Sequence, residues 1–142
     1  MQVRGEATYL DALVTGVERL QRRFPNASVV LAGHSLGGGL SAIGGQRLGV
    51  PSVSISGPGT VLTGAKLGVE SLPRNYDAAL VIVPDFDVVP RVDTNVGAVQ
   101  NIACLGSTSA ADCHACHRTC CELLNSCGDP HGRRILDCQK YL

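Results

Sequence analysis

With 142 residues, 44% hydrophobic and 17% charged, the chain has the composition of one compact domain and excludes a disordered, collagenous or membrane-embedded polymer. Twelve Lys and Arg balance twelve Asp and Glu, and three Tyr, two Phe and no Trp give little for bases to stack on, so a nucleic-acid partner is excluded. The longest apolar runs, such as Ala78 to Pro84, fall well short of the about 20 residues a transmembrane helix needs.

From Glu6 to Phe24, Leu10, Leu13, Val14, Val17, Leu20 and Phe24 recur at helical spacing, and Arg19, Arg22 and Arg23 gather towards the end. This is an amphipathic helix, stopped by Pro25-Asn26. Ser28 to Ala32, with its paired valines, reads as a buried parallel strand bounded by Gly33. Leu36 to Leu48 reads as a helix despite consecutive glycines that each cost about 1 kcal/mol relative to alanine, so packing outside the helix has to make them useful. Pro51 to Ser56 alternates as a strand, Gly57-Pro58-Gly59 breaks it, Gly64 to Leu72 is a further helix, and Ala78 to Val83 is a strand covered on both faces. Val96 to Cys104 is the last strand, and Cys113 to Cys127 sets Cys116, Cys120, Leu123, Leu124 and Cys127 on one helical face. Strands alternating with helices, without an internal repeat, imply an α/β fold with a mostly parallel sheet.

Gly33-His34-Ser35-Leu36-Gly37 matches G-x-S-x-G between a predicted strand and a predicted helix, the setting in which a serine hydroxyl projects from a sharp turn. Ser35 is the candidate nucleophile, with the backbone amide of Leu36 as an oxyanion donor. A Walker phosphate loop would need a lysine at its end, and the nearest is Lys66. His34, beside the serine, reads as a packed, hydrogen-bonded ring rather than the base.

The segments Val29-Val30-Leu31-Ala32-Gly33-His34-Ser35-Leu36-Gly37-Gly38-Gly39-Leu40 and Asp87-Val88-Val89-Pro90-Arg91 resemble the class 3 lipases of the α/β-hydrolase superfamily. The resemblance runs to about Cys104 and is looser beyond it. It implies a partial α/β-hydrolase fold, a lipid ester substrate met at a lipid–water interface, and an Asp-x-Val-Pro aspartate that orients a catalytic histidine. Asp87 matches that position; Asp85 and Asp93 are rivals that position after the strand does not separate. The chain order Ser, Asp, His leaves His114, His117 and His131. His131 is selected because Gly128-Asp129-Pro130-His131-Gly132 is a turn-rich segment beyond the last helix, where the family's histidine also lies.

All seven cysteines fall at or after Cys104. Cys113-His114-Ala115-Cys116-His117 fits C-x-x-C-H haem attachment, and with Cys120 it offers zinc ligands, but a disulfide framework is the preferred use, with the helix face of Cys116, Cys120 and Cys127 stapled to Cys104 and Cys138. No cofactor and no metal is expected at the site. Disulfides imply a secreted protein or one of the lysosomal or vacuolar lumen, whereas Met1 to Glu6 lacks the features of a signal peptide. The expectation is therefore one hydrolase domain over residues 1–142, incomplete at its N-terminus, with a Cys-rich segment over 104–142. The reading is an ester hydrolase acting through Ser35, Asp87 and His131. The alternative is a non-catalytic hydrolase scaffold that binds a partner and carries a disulfide- or zinc-stabilised C-terminal module.

Overall fold

A computed structural model describes residues 8–67, 69, 78–127 and 131, the side chains of 126 and 127 excepted. Its elements are α1 (Tyr9–Arg23), β1 (Leu31–His34), α2 (Leu36–Leu48), β2 (Ser52–Ile55), α3 (Val61–Lys66), β3 (Ala79–Pro84), β4 (Ala98–Ile102), α4 (Ala110–His114) and α5 (Cys116–Cys127). The strands form one parallel sheet in the order β1-β2-β3-β4, with Ala32, Val53, Leu80 and Ala98 in one row across it. This is the mostly parallel, helix-flanked α/β architecture expected from the sequence.

α1 begins at a reciprocal cap: the Thr8 hydroxyl accepts from Asp11 N–H, and the Asp11 carboxylate accepts from Thr8 N–H at 3.0 Å. Those bonds from Thr8 hold the Asp11 pKa below the ordinary carboxylate value. The apolar stripe of α1 enters two core clusters, Leu10 with Ile43 of α2 and Val69, and Val17 with Leu31 of β1 and Val50.

The glycines of α2 have a tertiary cause. A Cβ on Gly38 would lie 2.8 Å from Ser54 Oγ, one on Gly45 2.8 Å from Ser52 Cβ, and one on Gly44 2.7 Å from Leu13 Cδ2. Side chains at Gly38 and Gly45 would hold the helix off β2, whereas Leu13 could swing aside at Gly44, so intrinsic helix propensity is given up for a close approach to the sheet.

Several features differ from expectation: β2 and β4 are shorter than Pro51 to Ser56 and Val96 to Cys104, β3 is shifted by one residue, and β1, α3 and the last helix differ more. β1 starts three residues late because its partner starts at Ser52: Leu31 N–H donates to Pro51 O, and Val30 before it is exposed. β3 is buried except at Leu80, 37% exposed, so that strand is not covered on both faces throughout. α3 starts at Val61 rather than Gly64, because Asp93 lends its carboxylate to the amides of Leu62 (3.0 and 3.1 Å) and Thr63 (3.1 Å); residues 68 and 70–72 of the expected helix lie outside the described residues. The expected helix from Cys113 to Cys127 is two helices, broken at Ala115, whose ψ of 124 is extended.

Burial raises the Asp93 pKa, but the amides of Thr94, Leu62 and Thr63 and the Thr63 hydroxyl outweigh it and leave the pKa lowered. A depressed carboxyl stabilises the fold fully above its unfolded value of about 3.9, and that contribution is lost as pH falls through the lower folded value. Asp93→Ala is expected to cost about 1 kcal/mol, as loss of a helix cap does. Urea titrations at neutral pH should show the deficit, and titrations at acid pH should show the two curves converging.

Candidate active site

Ser35 joins β1 to α2. Its backbone is held at φ 55 and ψ −125, a conformation an L-residue adopts only under constraint. The constraints are local: Ser35 N–H donates to Ile55 O at 3.0 Å, and Ser35 O accepts from Gly38 N–H at 2.9 Å. Leu36 is the first residue of α2, so its amide is among those a helix leaves without an internal acceptor.

Asp87 follows β3 and is wholly buried. Its Oδ1 accepts from Val89 N–H at 3.0 Å, and its main-chain oxygen accepts from Arg91 Nε at 3.1 Å, so the Val-Pro-Arg turn after it fixes the carboxylate. The rival acids are separated by what they touch. Asp93 caps α3, and Asp85 is an exposed turn residue whose amide donates to Ile102 O.

The imidazole that meets both groups is that of His114. Its Nε2 lies 2.9 Å from Ser35 Oγ, and its Nδ1 lies 3.0 Å from Asp87 Oδ2 and 3.2 Å from Oδ1. The carboxylate only accepts, so Nδ1 carries the proton and Nε2 is free to take one from the serine. Such a line of hydroxyl, imidazole and buried carboxylate can turn a serine into a nucleophile.

His131, expected in that place from the sequence, is an exposed turn residue, and His117 is exposed on α5. The physical reason for the correction lies in how the chain leaves β4. Pro84 pairs with Ile102, so the segment after β4 already runs beside Asp87. A disulfide from Cys104 to Cys113 then brings the residue before His114 back to that edge. Two signals in the sequence point there: a Ser109-x-x-Asp112 helix start, whose Ser109 side chain accepts from Asp112 N–H, and a cysteine immediately before His114.

The same bridge revises the cysteine pairing. Cys104 is joined to Cys113 rather than to the face of α5, and the first cysteine of C-x-x-C-H is thereby taken. Cys121 is also disulfide-bonded, Cys116 and Cys120 are thiols 3.9 Å apart, and Cys138 lies outside the described residues. Burial, then the neighbouring Cys116, pushes the Cys120 thiol above its ordinary value. Among the described residues no three His, Cys, Asp or Glu side chains converge as a metal ion requires.

α5 holds the connecting loop from its other side. The buried Glu122 accepts from Leu105 N–H at 2.6 Å, while Arg118 Nη1 donates to Leu105 O at 2.7 Å. Replacing both Cys104 and Cys113 by serine removes a bridge with a sequence separation of 9. The expected cost is about 2 to 3 kcal/mol, read from urea unfolding, and the loss of the His114 anchor should appear as a fall in any Ser35-dependent activity beyond the fraction unfolded.

The chain matches the family model for Lipase (class 3) over residues 6–96, which takes in Ser35 and Asp87. It is 27% identical over 130 residues to the protein named "Putative lipase ATG15" of Eremothecium gossypii, covering 89% of this chain and 24% of that protein. A protein of the same name from Candida glabrata is 32% identical over 81 residues, 56% of this chain and 16% of its own length. The chain thus spans about a quarter or less of the curated relatives it matches. Among solved structures, lipase II from Rhizopus niveus aligns with a TM-score of 0.41 at 20% identity, covering 58% of this chain and 36% of that one. Lip2 lipase from Yarrowia lipolytica aligns with a TM-score of 0.40 at 20% identity, covering 63% and 36%.

Proposed function

Because the chain belongs to the class 3 lipase family, we propose that it hydrolyses carboxylic esters of lipids through an acyl-enzyme on Ser35, with His114 as general base and Asp87 as the carboxylate that orients it. The observation that carries this reading is the hydrogen-bonded line of 2.9 Å from Ser35 to His114 and 3.0 Å from His114 to Asp87.

In the acylation step Ser35 Oγ bonds to the ester carbonyl carbon as its proton passes to His114 Nε2, and the carbonyl π electrons move to oxygen. The Leu36 amide donates to that oxyanion. Collapse restores the carbonyl, breaks the bond to the alcohol oxygen and returns the proton from Nε2 to it. Water, deprotonated by the same nitrogen, then releases the carboxylic acid and regenerates Ser35. Asp87 accepts from Nδ1–H throughout and stabilises the imidazolium without itself taking the proton.

An apolar substrate is supported by the exposed hydrophobic residues next to these groups in the chain: Leu36 at 64%, Phe86 at 50% and Val88 at 57%. The disulfides support an oxidising setting, either secretion or a vacuolar or lysosomal lumen.

The test is fatty-acid release from triacylglycerol and phospholipid emulsions and from soluble esters of increasing acyl length. Wild-type release that Ser35→Ala lowers by on the order of 10⁶-fold is expected. Release that survives the substitution rejects the mechanism, and a wild-type chain that binds lipid without any release points to the non-catalytic scaffold.

A further inference from the structure

His34 precedes the serine, yet its ring is not the one Ser35 meets. Its Nε2 lies 2.8 Å from the main-chain oxygen of His114, and the two imidazoles stand 5.0 Å apart at an angle of 40°. A carbonyl oxygen only accepts, so His34 Nε2 carries a proton and donates it.

The accepting carbonyl belongs to the last residue of α4, the end at which a helix leaves its carbonyls without internal partners. α4 has 5 residues and is too short to be stable on its own. Its conformation comes from outside contacts. On one side of His114 the disulfide holds Cys113. On the other, His34 holds the carbonyl of His114 itself.

We propose that His34 is a positioning residue of the reaction: by donating to the His114 carbonyl it ties the backbone of the base to the residue adjoining the nucleophile. The proposal rests on the reading of Ser35 and His114 as nucleophile and base. Ser35 is fixed to His34 by one peptide bond, so a movement of the elbow carries the base with it and the Oγ to Nε2 distance is kept. The first x of G-x-S-x-G then has a definite chemical requirement here, a donor at the reach of an imidazole Nε2. A glutamine amide nitrogen reaches that point, an asparagine nitrogen stops nearer the position of Nδ1, and phenylalanine fills the space without a donor.

His34→Gln, His34→Asn and His34→Phe in the full chain separate this role from simple packing. The readouts are kcat and KM on a soluble p-nitrophenyl ester, the rate of fluorophosphonate capture of Ser35, and the thermal midpoint. Misplacement of a reacting group by about 1 Å costs on the order of 100-fold, so Asn and Phe are expected to lower kcat by about 10- to 100-fold with KM changed by less than about twofold. Gln is expected to stay within about fivefold of wild type.

Wild-type kcat in the Asn and Phe variants overturns the proposal. So does a Gln variant as impaired as Asn, or a fall in kcat that only tracks the unfolded fraction. Should the Phe variant fail to fold, the contrast of Gln with Asn, two polar side chains of different reach, decides. A wild-type chain that fluorophosphonate does not capture at Ser35 overturns the reading of the site and this proposal with it. Capture in wild type that is equally fast in Asn overturns the proposal alone.

Discussion

His114→Ala is expected to lower kcat on a soluble ester by on the order of 10⁶-fold, and His131→Ala to leave it within about twofold of wild type. The contrast follows from geometry: one imidazole bridges Ser35 and the buried Asp87 at 2.9 and 3.0 Å, and the other is an exposed turn residue. In the proposed mechanism nucleophile and base act as a unit, so Ser35→Ala combined with His114→Ala is expected to be no worse than either alone. Asp87→Asn should lose about 10⁴-fold, because the amide stabilises the wrong imidazole tautomer and no longer supports the imidazolium. Steady-state hydrolysis measured against the fraction of folded chain checks these variants. If His131→Ala shows the large loss and His114→Ala the small one, the assignment is reversed.

Gly33→Ala is expected to destabilise the chain by more than about 3 kcal/mol, whereas Gly37→Ala, the other glycine of the same motif, should be neutral or gain up to about 1 kcal/mol. A Cβ on Gly33 would run into the main-chain oxygen of Gly37 and come within 2.9 Å of Gly38 N, and neither atom can swing aside as a side chain would. A Cβ on Gly37 meets nothing within 4 Å, so the gain in helix propensity is unopposed. The two glycines are equivalent in the pattern and different in the fold. Gly33 lets the end of β1 lie against the backbone of the first turn of α2. Urea unfolding of the two variants measures the difference directly; equal midpoints would contradict this account of the elbow.

The serine end of the site is legible in sequence because its determinants are contiguous. Ser28 to Ala32 announces a strand, Leu36 to Leu48 a helix, and Gly33 to Gly37 the bend between them; the strand's start moved to suit its pairing with Ser52, and its end moved to His34, which pairs with Ile55. Asp87 is legible through Val88-Val89-Pro90, whose turn also turns out to fix the carboxylate by way of the Val89 amide.

The histidine that meets Ser35 is not legible in the sequence, because a turn-rich segment beyond the last helix is preferred for it. The apolar and cysteine positions from Cys113 to Cys127 fit one helix, and a single helix there makes His114 an unremarkable first-turn residue. The break at Ala115 and the bridge from Cys104 to Cys113 put His114 at a helix end facing the sheet edge. Asp93 gives a second case. A carboxylate about thirty residues downstream caps the start of α3, while Thr60, the residue before Val61, makes no side-chain cap hydrogen bond.

The most direct test of the central claim is peptide mapping by mass spectrometry after exposure to a fluorophosphonate. A covalent adduct on the Ser35 peptide is predicted, formed in wild type and His131→Ala, lost in Ser35→Ala, and slowed by several orders of magnitude in His114→Ala. An adduct on another residue, or one on Ser35 that forms as fast without the His114 imidazole, would contradict the account.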